Sequence, residues 1–367
     1  MAADCGGAGG AGMVGLDGAL PLPWLEPVLR HTLQTQHAHA LLLHGPNGVG
    51  QFELALTLAQ GWLCETPAAE PKPCGRCAGC RLVQARSHPD LLVLLPEALQ
   101  SRLGWGTEGD ADASGTGVPA KAKPGAKPSK EIKVEAVRTA VGFAQTTSAR
   151  GRGKVVVLHP AERMNGVAAN TLLKTLEEPA AGLRFVLSCS APDALLATIR
   201  SRCQSVPLGL PPQAQAIDWL ALQGVAEPGV LLAAAGGQPQ DALEWLAQGV
   251  DAAVWGRLPA LVAGGQSQAM AAWPLARSIE ALQKLCHDAA CAAAGAAPRY
   301  FPASAIPPNA ETALLVAWMD QLNRIARDVE HPWNAGLVIE SLVQQGQRAL
   351  AGADRSAASG LSLNCGA

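Results

Sequence analysis

Short apolar runs alternate with amphipathic stretches through the first 206 residues of the chain. The apolar runs, each of a length that suits a buried strand, are residues 38–44, 90–95, 154–158 and 184–188. Between them, apolar residues recur at helical spacing in 24–37, 51–64, 132–144 and 167–178. Buried strands separated by helices are typical of a parallel sheet. We therefore predict an α/β domain whose sheet carries helices on both faces.

The pattern changes after Pro211, where no further strand is expected. Three short helices are predicted within 212–248, interrupted at Gly236-Gly237, and longer helices at 268–295, 309–328 and 335–350. The predicted fold class is therefore α/β followed by all-α.

Three segments lack the apolar positions from which a core is built. Residues 1–18 are rich in Ala and Gly, and residues 97–130 are rich in Gly, Ala, Pro, Ser and Lys. Such composition does not bury enough apolar surface to offset the entropy lost on ordering. We expect a disordered arm at 1–18, a flexible insertion at 97–130 and a loose tail at 353–367.

Length, charge and cysteine content narrow the class of protein. The 367 residues suffice for two or three domains, and the formal net charge of -2 argues against an independent nucleic-acid binder. No apolar run approaches the ~18 residues of a membrane span, and the N-terminus lacks the features of a signal peptide. A cytoplasmic location is expected. In that reducing compartment, the ten cysteines favour metal binding or free thiols over disulfides.

A glycine-rich turn follows the first predicted strand and precedes a helix. Its glycines, Gly45, Gly48 and Gly50, suit the phosphate-binding pattern G-x-x-x-x-G-K-[ST], but Gln51 stands at the Lys position and Phe52 at the hydroxyl position. A neutral amide cannot offset charge on a γ-phosphate, and a phenyl ring cannot ligate Mg²⁺. We interpret the turn as a vestigial phosphate loop. An ordinary glycine-rich turn remains the alternative.

The end of the third strand also lacks the groups that hydrolysis needs. A working site places an Asp there for Mg²⁺ and then a Glu that polarises water. Here His159 or Pro160 takes the Asp position, and Glu162 is expected to cap or face the following helix. The open alternative is an active ATPase with an unusual loop, in which Lys154 or Lys174 replaces the missing lysine.

Four of the cysteines form a compact cluster in the sequence. Cys64, Cys74, Cys77 and Cys80 include two overlapping C-x₂-C pairs. Four thiolates at this spacing suit tetrahedral Zn²⁺, and with no position left for water the site would be structural. Redox-active thiols are the competing interpretation.

A single arginine acquires a candidate role from its context. Arg202, in Ser201-Arg202-Cys203, follows a predicted helix of the α/β domain. A lone arginine is usually a surface residue. Beside a phosphate loop without catalytic groups, Arg202 is a candidate arginine finger for the ATP site of a neighbouring subunit.

Several segments in order along the chain match a known family. They are HALLLHGPNGVG (39–50), the Cys64–Cys80 cluster with SHPD after it (87–90), IKVEAVR (132–138), the segment 154–179 that ends in LLKTLEEP, LLATIRSRCQ (195–204) and HPWNAGLVIESLV (331–343). Together they resemble the clamp-loader branch of the AAA+ ATPases, and most closely its delta-prime subunits of bacterial DNA polymerase III. The ATP-hydrolysing gamma/tau subunits of that branch keep the loop Lys and hydroxyl, so Gln51 and Phe52 favour the delta-prime type.

The resemblance implies a domain order. An AAA+ core domain would cover 19–208, with a zinc module at 64–80 and the insertion at 97–130. A helical lid at 209–254 and a helical collar for oligomerisation at 255–352 would follow. In the lid, Gln240 stands where active relatives place a nucleotide-sensing arginine.

The resemblance also implies a function and partners. The chain would be a rigid, non-hydrolysing member of a five-subunit ring with gamma/tau and delta subunits, which loads the sliding clamp onto primed DNA within a DNA polymerase III holoenzyme. Zn²⁺ would be its structural cofactor, ATP would not be hydrolysed by this chain, and Arg202 would face a gamma/tau ATP site. The alternatives are a gamma/tau-like subunit with a divergent loop and a stand-alone zinc-dependent nucleic-acid binder.

Overall fold

The computed structural model describes residues 13–36, 38–67, 70–105, 128–308, 310–329 and 331–351. The chain forms two compact units, Met1–Leu210 and Pro211–Ala367. Most of the predicted arm, the middle of the predicted insertion and the predicted tail lie outside the described residues.

The first unit is an α/β unit. Its strands are β1 (Ala40–His44), β2 (Leu91–Leu94), β3 (Lys154–Leu158), β4 (Leu183–Cys189) and β5 (Gln204–Pro207). Its helices are α1 (Glu26–Thr35), α2 (Gln51–Leu63), α3 (Ala78–Gln84), α4 (Glu97–Leu103), α5 (Val134–Gln145), α6 (Gly166–Glu177) and α7 (Ala197–Arg200). Short 3-10 turns at Pro23–Leu25, Ala161–Arg163 and Pro192–Ala194 join some of them.

The five strands form one sheet in the order β2-β3-β4-β1-β5, and every pairing is parallel. The predicted parallel sheet is therefore confirmed. Alternate strand residues such as Ala40, Leu42 and Phe185 pack with α5 and α6 in one apolar cluster. Helix α2 packs against β1, β3 and β4. Because all strands run the same way, their carboxyl ends share one edge of the sheet and their amino ends share the other.

The second unit contains helices and no strand among its described residues. Its helices are α8 (Gln213–Leu222), α9 (Pro228–Ala234), α10 (Pro239–Ala247), α11 (Ala252–Ala263), α12 (Leu275–Ala293), α13 (Thr312–Arg327) and α14 (Ala335–Ala351). Trp255 stacks on Phe301 with ring centroids 4.3 Å apart and meets Trp245 edge to face in the core. The buried Asp288 carboxylate accepts three backbone N–H bonds, from residues 299, 300 and 301. These bonds fix the segment that carries Phe301.

The prediction that residues 1–18 form a disordered arm is wrong for residues 13–18. Met13 and Val14 are buried. The Val14 N–H donates to Gln60 Oε1 at 2.9 Å, and its carbonyl accepts from the side chains of Gln60 and Gln84. Two apolar side chains, together with three satisfied backbone bonds, order this segment against α2 and α3.

The prediction of a flexible insertion at 97–130 is wrong at its two ends. Residues 97–103 form α4, and the Ser129 N–H donates to Glu97 Oε2 at 3.0 Å. Lys133 forms an ion pair with Glu97 as well. No residue of α4 is buried, so the hydrophobic pattern gave no sign of this helix. Residues 106–127 lie outside the described residues.

Two further elements were absent from the sequence prediction. Strand β5 has one buried side chain, Val206, and ends in a proline, which is typical of an edge strand. Helix α11 contains Gly256 and Pro259, which favour a break, yet Asp251 caps its N-terminus by accepting from the Val254 N–H at 2.7 Å. Among the described residues, no helix is long and apolar enough to cross a membrane.

Val14 and Leu16 provide a matched test of the ordered N-terminal segment. The Val14 side chain is 1% exposed, whereas Leu16, two residues away, is 67% exposed. Val14→Asp should lower the free energy of unfolding by about 2–4 kcal/mol because it buries an unpaired carboxylate. Leu16→Asp should change it by less than ~0.5 kcal/mol. Urea denaturation of both variants measures the difference, and equal stabilities would contradict the docking of this segment.

Candidate functional site

The glycines of the predicted phosphate loop lie where the backbone is crowded. The loop follows β1, and α2 begins at Gln51. Gly50 has a φ of +102°, and a Cβ there would lie 2.4 Å from Leu22 Cδ1. A Cβ on Gly45 would lie 2.3 Å from the Leu208 carbonyl oxygen. The turn is thus covered by neighbouring chain on two sides, and side chains larger than hydrogen do not fit at these positions.

The Gln51 side chain is hydrogen-bonded to the backbone of its own loop. It is 6% exposed, and its amide Nε2 donates to the carbonyl oxygens of Gly45, at 2.8 Å, and Pro46. A working loop extends its lysine at this position toward the β- and γ-phosphates. Here the amide is directed to the loop's own backbone, so no charged donor is available to a phosphate from this residue.

The Phe52 ring stacks on the imidazole of His159. The ring centroids are 4.7 Å apart and the planes are inclined by 29°. His159 follows β3, and its Nδ1 lies 2.9 Å from the Ser188 hydroxyl on β4. Phe52, at the hydroxyl position of the loop pattern, and His159, at the end of β3, are therefore two rings in contact.

Burial and the nearby Arg102 guanidinium lower the pKa of His159 to about 4. The imidazole is therefore neutral at physiological pH and suits an aromatic stack. His159 brings a neutral ring, hydrogen-bonded to Ser188 through Nδ1, to the end of β3, where a working site has a carboxylate for Mg²⁺.

Glu162 and Lys154 serve structural contacts. The Ser190 N–H and hydroxyl donate to Glu162 Oε1 at 2.9 and 2.7 Å, which ties the ends of β3 and β4 together. Lys154, at the amino end of β3, donates to the Phe143 carbonyl at 3.0 Å and to the Thr146 hydroxyl. Since Lys154 lies at the opposite edge of the sheet from the loop, it cannot replace the missing lysine there.

The four predicted metal ligands come together. The sulfur atoms of Cys64, Cys74, Cys77 and Cys80 all lie within 4.8 Å of one another. The distances are 3.9 Å from Cys74 to Cys80 and 3.8 Å from Cys77 to Cys64. A tetrahedron with Zn–S bonds of ~2.3 Å has edges of about 3.8 Å. A disulfide, by contrast, joins sulfurs ~2.05 Å apart. The geometry fits a four-sulfur metal site.

Backbone donors and neighbouring thiols set the electrostatics of the cluster. The N–H groups of Glu65 and Cys80 donate to Cys77 Sγ, and that of Cys77 to Cys74 Sγ, each at 3.4 Å. Burial raises the pKa of Cys74, but hydrogen bonds from Thr66 and the backbone outweigh it and lower the pKa to about 6. Burial and the neighbouring Cys77 and Cys64 raise the pKa of Cys80. A bound cation would stabilise the thiolate form of all four cysteines in this space.

The residues that hold the cysteine cluster to the sheet were not evident from the sequence pattern. Arg150 pairs with Glu65, and the Arg152 side chain donates to the Glu65 carbonyl at 3.0 Å. The turn that carries Arg150 is fixed in turn by the buried Asp90, which accepts from the Ala149 and Arg150 N–H groups. Asp90 is the last residue of the SHPD segment (87–90), and that motif was the one sequence feature that could have pointed to this contact.

Arg202 lies at the amino edge of the sheet, just before β5. It lines a shallow depression with His39, Leu176, Glu177 and Ser201. Its Nε donates to Glu177 Oε1 at 2.8 Å, and its Nη1 donates to the Thr198 carbonyl at 2.8 Å. The phosphate loop follows β1 at the carboxyl edge. Arg202 and this chain's own loop are therefore at opposite edges of the sheet.

His159 gives the loop region a pH dependence. The unfolded chain protonates His159 near ~6.5, whereas the native chain does so only near about 4. Between these values the unfolded state binds more protons, so this residue lowers stability as pH falls. His159→Gln should therefore show a smaller loss of thermal unfolding midpoint between about pH 7 and about pH 5 than the parent chain. The exposed His331→Gln is the control for the loss of a histidine that lies outside this stack. Equal losses in the two variants would contradict a neutral His159 in the native chain.

The chain is similar to known subunits of DNA polymerase III. The family model described as DNA polymerase III, delta subunit, matches residues 25–211. DNA polymerase III subunit delta' of Pseudomonas aeruginosa is 40% identical over 221 residues, which are 59% of this chain and 58% of that protein. DNA polymerase III subunit tau of Salmonella typhimurium is 35% identical over 165 residues, which are 45% of this chain and 21% of that protein.

A solved structure was also found among the similar proteins. It is a gamma subunit-related protein of Thermotoga maritima, with a TM-score of 0.44 and 17% identity, covering 89% of this chain and 99% of that one. The alignment with the delta' relative spans 58% of that protein's length. The family match, by contrast, extends over half of the present chain. The chain therefore belongs to the DNA polymerase III subunit family described by that model, and curated relatives of it bear the name subunit delta'.

Proposed function

We propose that this chain is a non-hydrolysing subunit of a clamp loader, of the delta-prime type. In this role it forms a ring with gamma/tau and delta subunits that loads the sliding clamp onto primed DNA. Relatives named delta' and tau support membership of such an assembly. The helical second unit would supply the lid at 209–254 and the collar at 255–352.

The observation that carries this proposal is the closed loop. Gln51 binds the loop's own carbonyls, and Phe52 and His159 fill the two metal positions. Phosphoryl transfer depends on positioned cations around the phosphates. A chain that has replaced each of them with a neutral group serves the ring without turning over ATP itself.

Arg202 is the group that this chain would offer to a neighbour. Its place at the edge opposite the loop suits a contact with another subunit's nucleotide. An arginine that stabilises the charge of a transferred phosphoryl group is worth ~10³–10⁵ in rate at one site. With several ATP sites in the ring, loss of one such group would slow only part of the total turnover.

The cysteine cluster would hold one structural Zn²⁺. The sulfur separations of 3.8 and 3.9 Å and the three N–H···S bonds support this assignment. The ion would join the end of α2 to α3 without an open coordination position. We assign it no part in catalysis.

The function is tested by ATP turnover with and without the partner subunits. The purified chain should show no turnover above background, and Gln51→Lys should not restore it because Phe52 and His159 remain. In a reconstituted ring, Arg202→Ala should lower DNA-stimulated turnover and clamp loading. Arg202→Lys should rescue poorly, since an ammonium lacks the planar fork of donors.

Arg200→Ala is the matched control for that experiment. Arg200 lies two residues away and pairs with the exposed Asp193. Its loss should leave turnover, assembly and zinc content unchanged. Turnover of about 1 s⁻¹ by the chain alone, within the ordinary range for enzymes, would instead favour a gamma/tau-like hydrolysing subunit. A ring with Arg202→Ala that assembles and loads clamps at the parent rate would refute the arginine finger.

Zinc binding is tested separately. Freshly purified reduced protein should contain one Zn²⁺ per chain by elemental analysis, and Cys77→Ser should lose it. Structural zinc in small peptides contributes ~10–16 kcal/mol of binding free energy, so removal should also destabilise the module clearly. Cys291→Ser, in the second unit, should keep full zinc. Protein that contains no zinc when purified under reducing conditions would show that the cluster is not a zinc site.

A further inference from the structure

The Arg202 guanidinium is engaged within its own chain through all three of its nitrogens. Nε and Nη2 both donate to Glu177 Oε1. Nη1 donates to the Thr198 carbonyl at 2.8 Å and to the Ser201 hydroxyl at 3.3 Å. The strength of a guanidinium toward phosphate comes from its planar fork of donors. In this arrangement the fork is occupied by Glu177.

The pair is placed so that it can open. The Arg202 side chain is 33% exposed and that of Glu177 is 48% exposed. Exposed ion pairs are weak, because water and salt compete for both partners. Glu177 is the last residue of α6, where a carboxylate lies at the negative end of the helix dipole and is not itself favoured. A phosphate with more than one negative charge is therefore a competent competitor for the guanidinium.

We propose that Glu177 is a positioning residue that holds Arg202 folded on its own surface until a nucleoside triphosphate on the neighbouring subunit displaces it. The proposal rests on the function proposed above, in which Arg202 acts on a neighbour's nucleotide. The Glu177 contact then opposes nucleotide engagement at that one site, because it must break before Arg202 reaches the phosphate. Removing the carboxylate charge should make the arginine available at a lower nucleotide concentration.

The first test uses the isolated chain and does not depend on the ring. Phenylglyoxal modifies accessible arginines, and peptide mass mapping gives the rate at Arg202 relative to the exposed Arg138. Glu177→Gln should raise this relative rate about two- to fivefold, which is the range that an exposed ion pair supports. Higher salt should raise the rate in the parent chain and have less effect in Glu177→Gln, because salt screens the pair.

Glu178→Gln is the matched control. Glu178 is the next residue, is exposed, and forms no ion pair with any residue that the structure describes. The Glu178→Gln substitution removes the same charge from the same end of α6. It should leave the rate of phenylglyoxal modification at Arg202, and the salt dependence of that rate, unchanged. Thermal unfolding midpoints of both variants should equal that of the parent, which separates release of Arg202 from local unfolding.

The second test uses the reconstituted ring. Glu177→Gln should lower the ATP concentration that gives half-maximal turnover, by less than the factor seen with phenylglyoxal because the other ATP sites are unchanged. The maximal rate should stay at the parent value. In a ring that already carries Arg202→Ala, Glu177→Gln should change nothing further, since a double-mutant cycle isolates an effect that passes through Arg202.

The outcomes separate failure of this proposal from failure of the proposed function. If Arg202→Ala slows turnover but Glu177→Gln behaves as Glu178→Gln in both assays, the restraint is wrong and the arginine finger stands. If Glu177→Gln slows turnover as Arg202→Ala does, Glu177 presents the arginine and does not restrain it, and the proposal is overturned. If Arg202→Ala leaves turnover at the parent rate, the proposed function fails and this proposal fails with it.

Discussion

The ring of Phe52 lies against the imidazole of His159, and this contact determines what the carboxyl edge of the sheet can do. A phosphate loop works because charged and oxygen ligands surround a cation and a polyanion. Two stacked neutral rings supply no oxygen ligand for the cation and no charge to offset that of the polyanion. Once they are in place, the loop carbonyls are free to bind the Gln51 amide, and apolar residues such as Leu22 can pack against Gly50. Gly45 and Gly50 are required there because the backbone and neighbouring side chains leave no room for a Cβ.

The parallel sheet places a different set of polar groups at its other edge. The strands are parallel, so every residue that follows a strand lies at the closed edge and every residue that precedes one lies at the other. Arg202 and His39 precede β5 and β1, and both border the same depression. At that edge α6 ends, and the Leu176 carbonyl lies 2.8 Å from His39 Nε2. The amino edge thus combines an arginine, a histidine and a carboxylate that remain accessible to a partner.

The sequence predicted the features that depend on periodicity and on ligand spacing. Four strands and the helices between them follow from the local pattern of apolar residues. The approach of the four cysteines follows from their spacing in the sequence, at Cys64, Cys74, Cys77 and Cys80. Strand β5 could not be found in this way, because its single buried residue, Val206, gives no alternation. Helix α11 was hidden by Gly256 and Pro259, since its stability comes from packing Trp255 and from its cap.

The least predictable features are those in which two distant segments satisfy each other. Nothing in the sequence distinguishes Gln60 and Gln84 from other polar residues of helices. Their role appears only in the structure, where both side chains form hydrogen bonds with the Val14 backbone. The ordering of residues 13–15 places the Gly15 carbonyl against Gly75, where a Cβ would lie 2.0 Å from that oxygen, and Gly75 lies between the second and third cysteines. The segment therefore packs on the loop that carries the sulfur ligands, and its burial and the geometry of the cluster support each other. Because Glu65 is held by Arg150 from the sheet side, the cysteine loop is fixed at two faces. A metal bound there would find its four ligands already close together, so its binding would cost little reorganisation of the backbone.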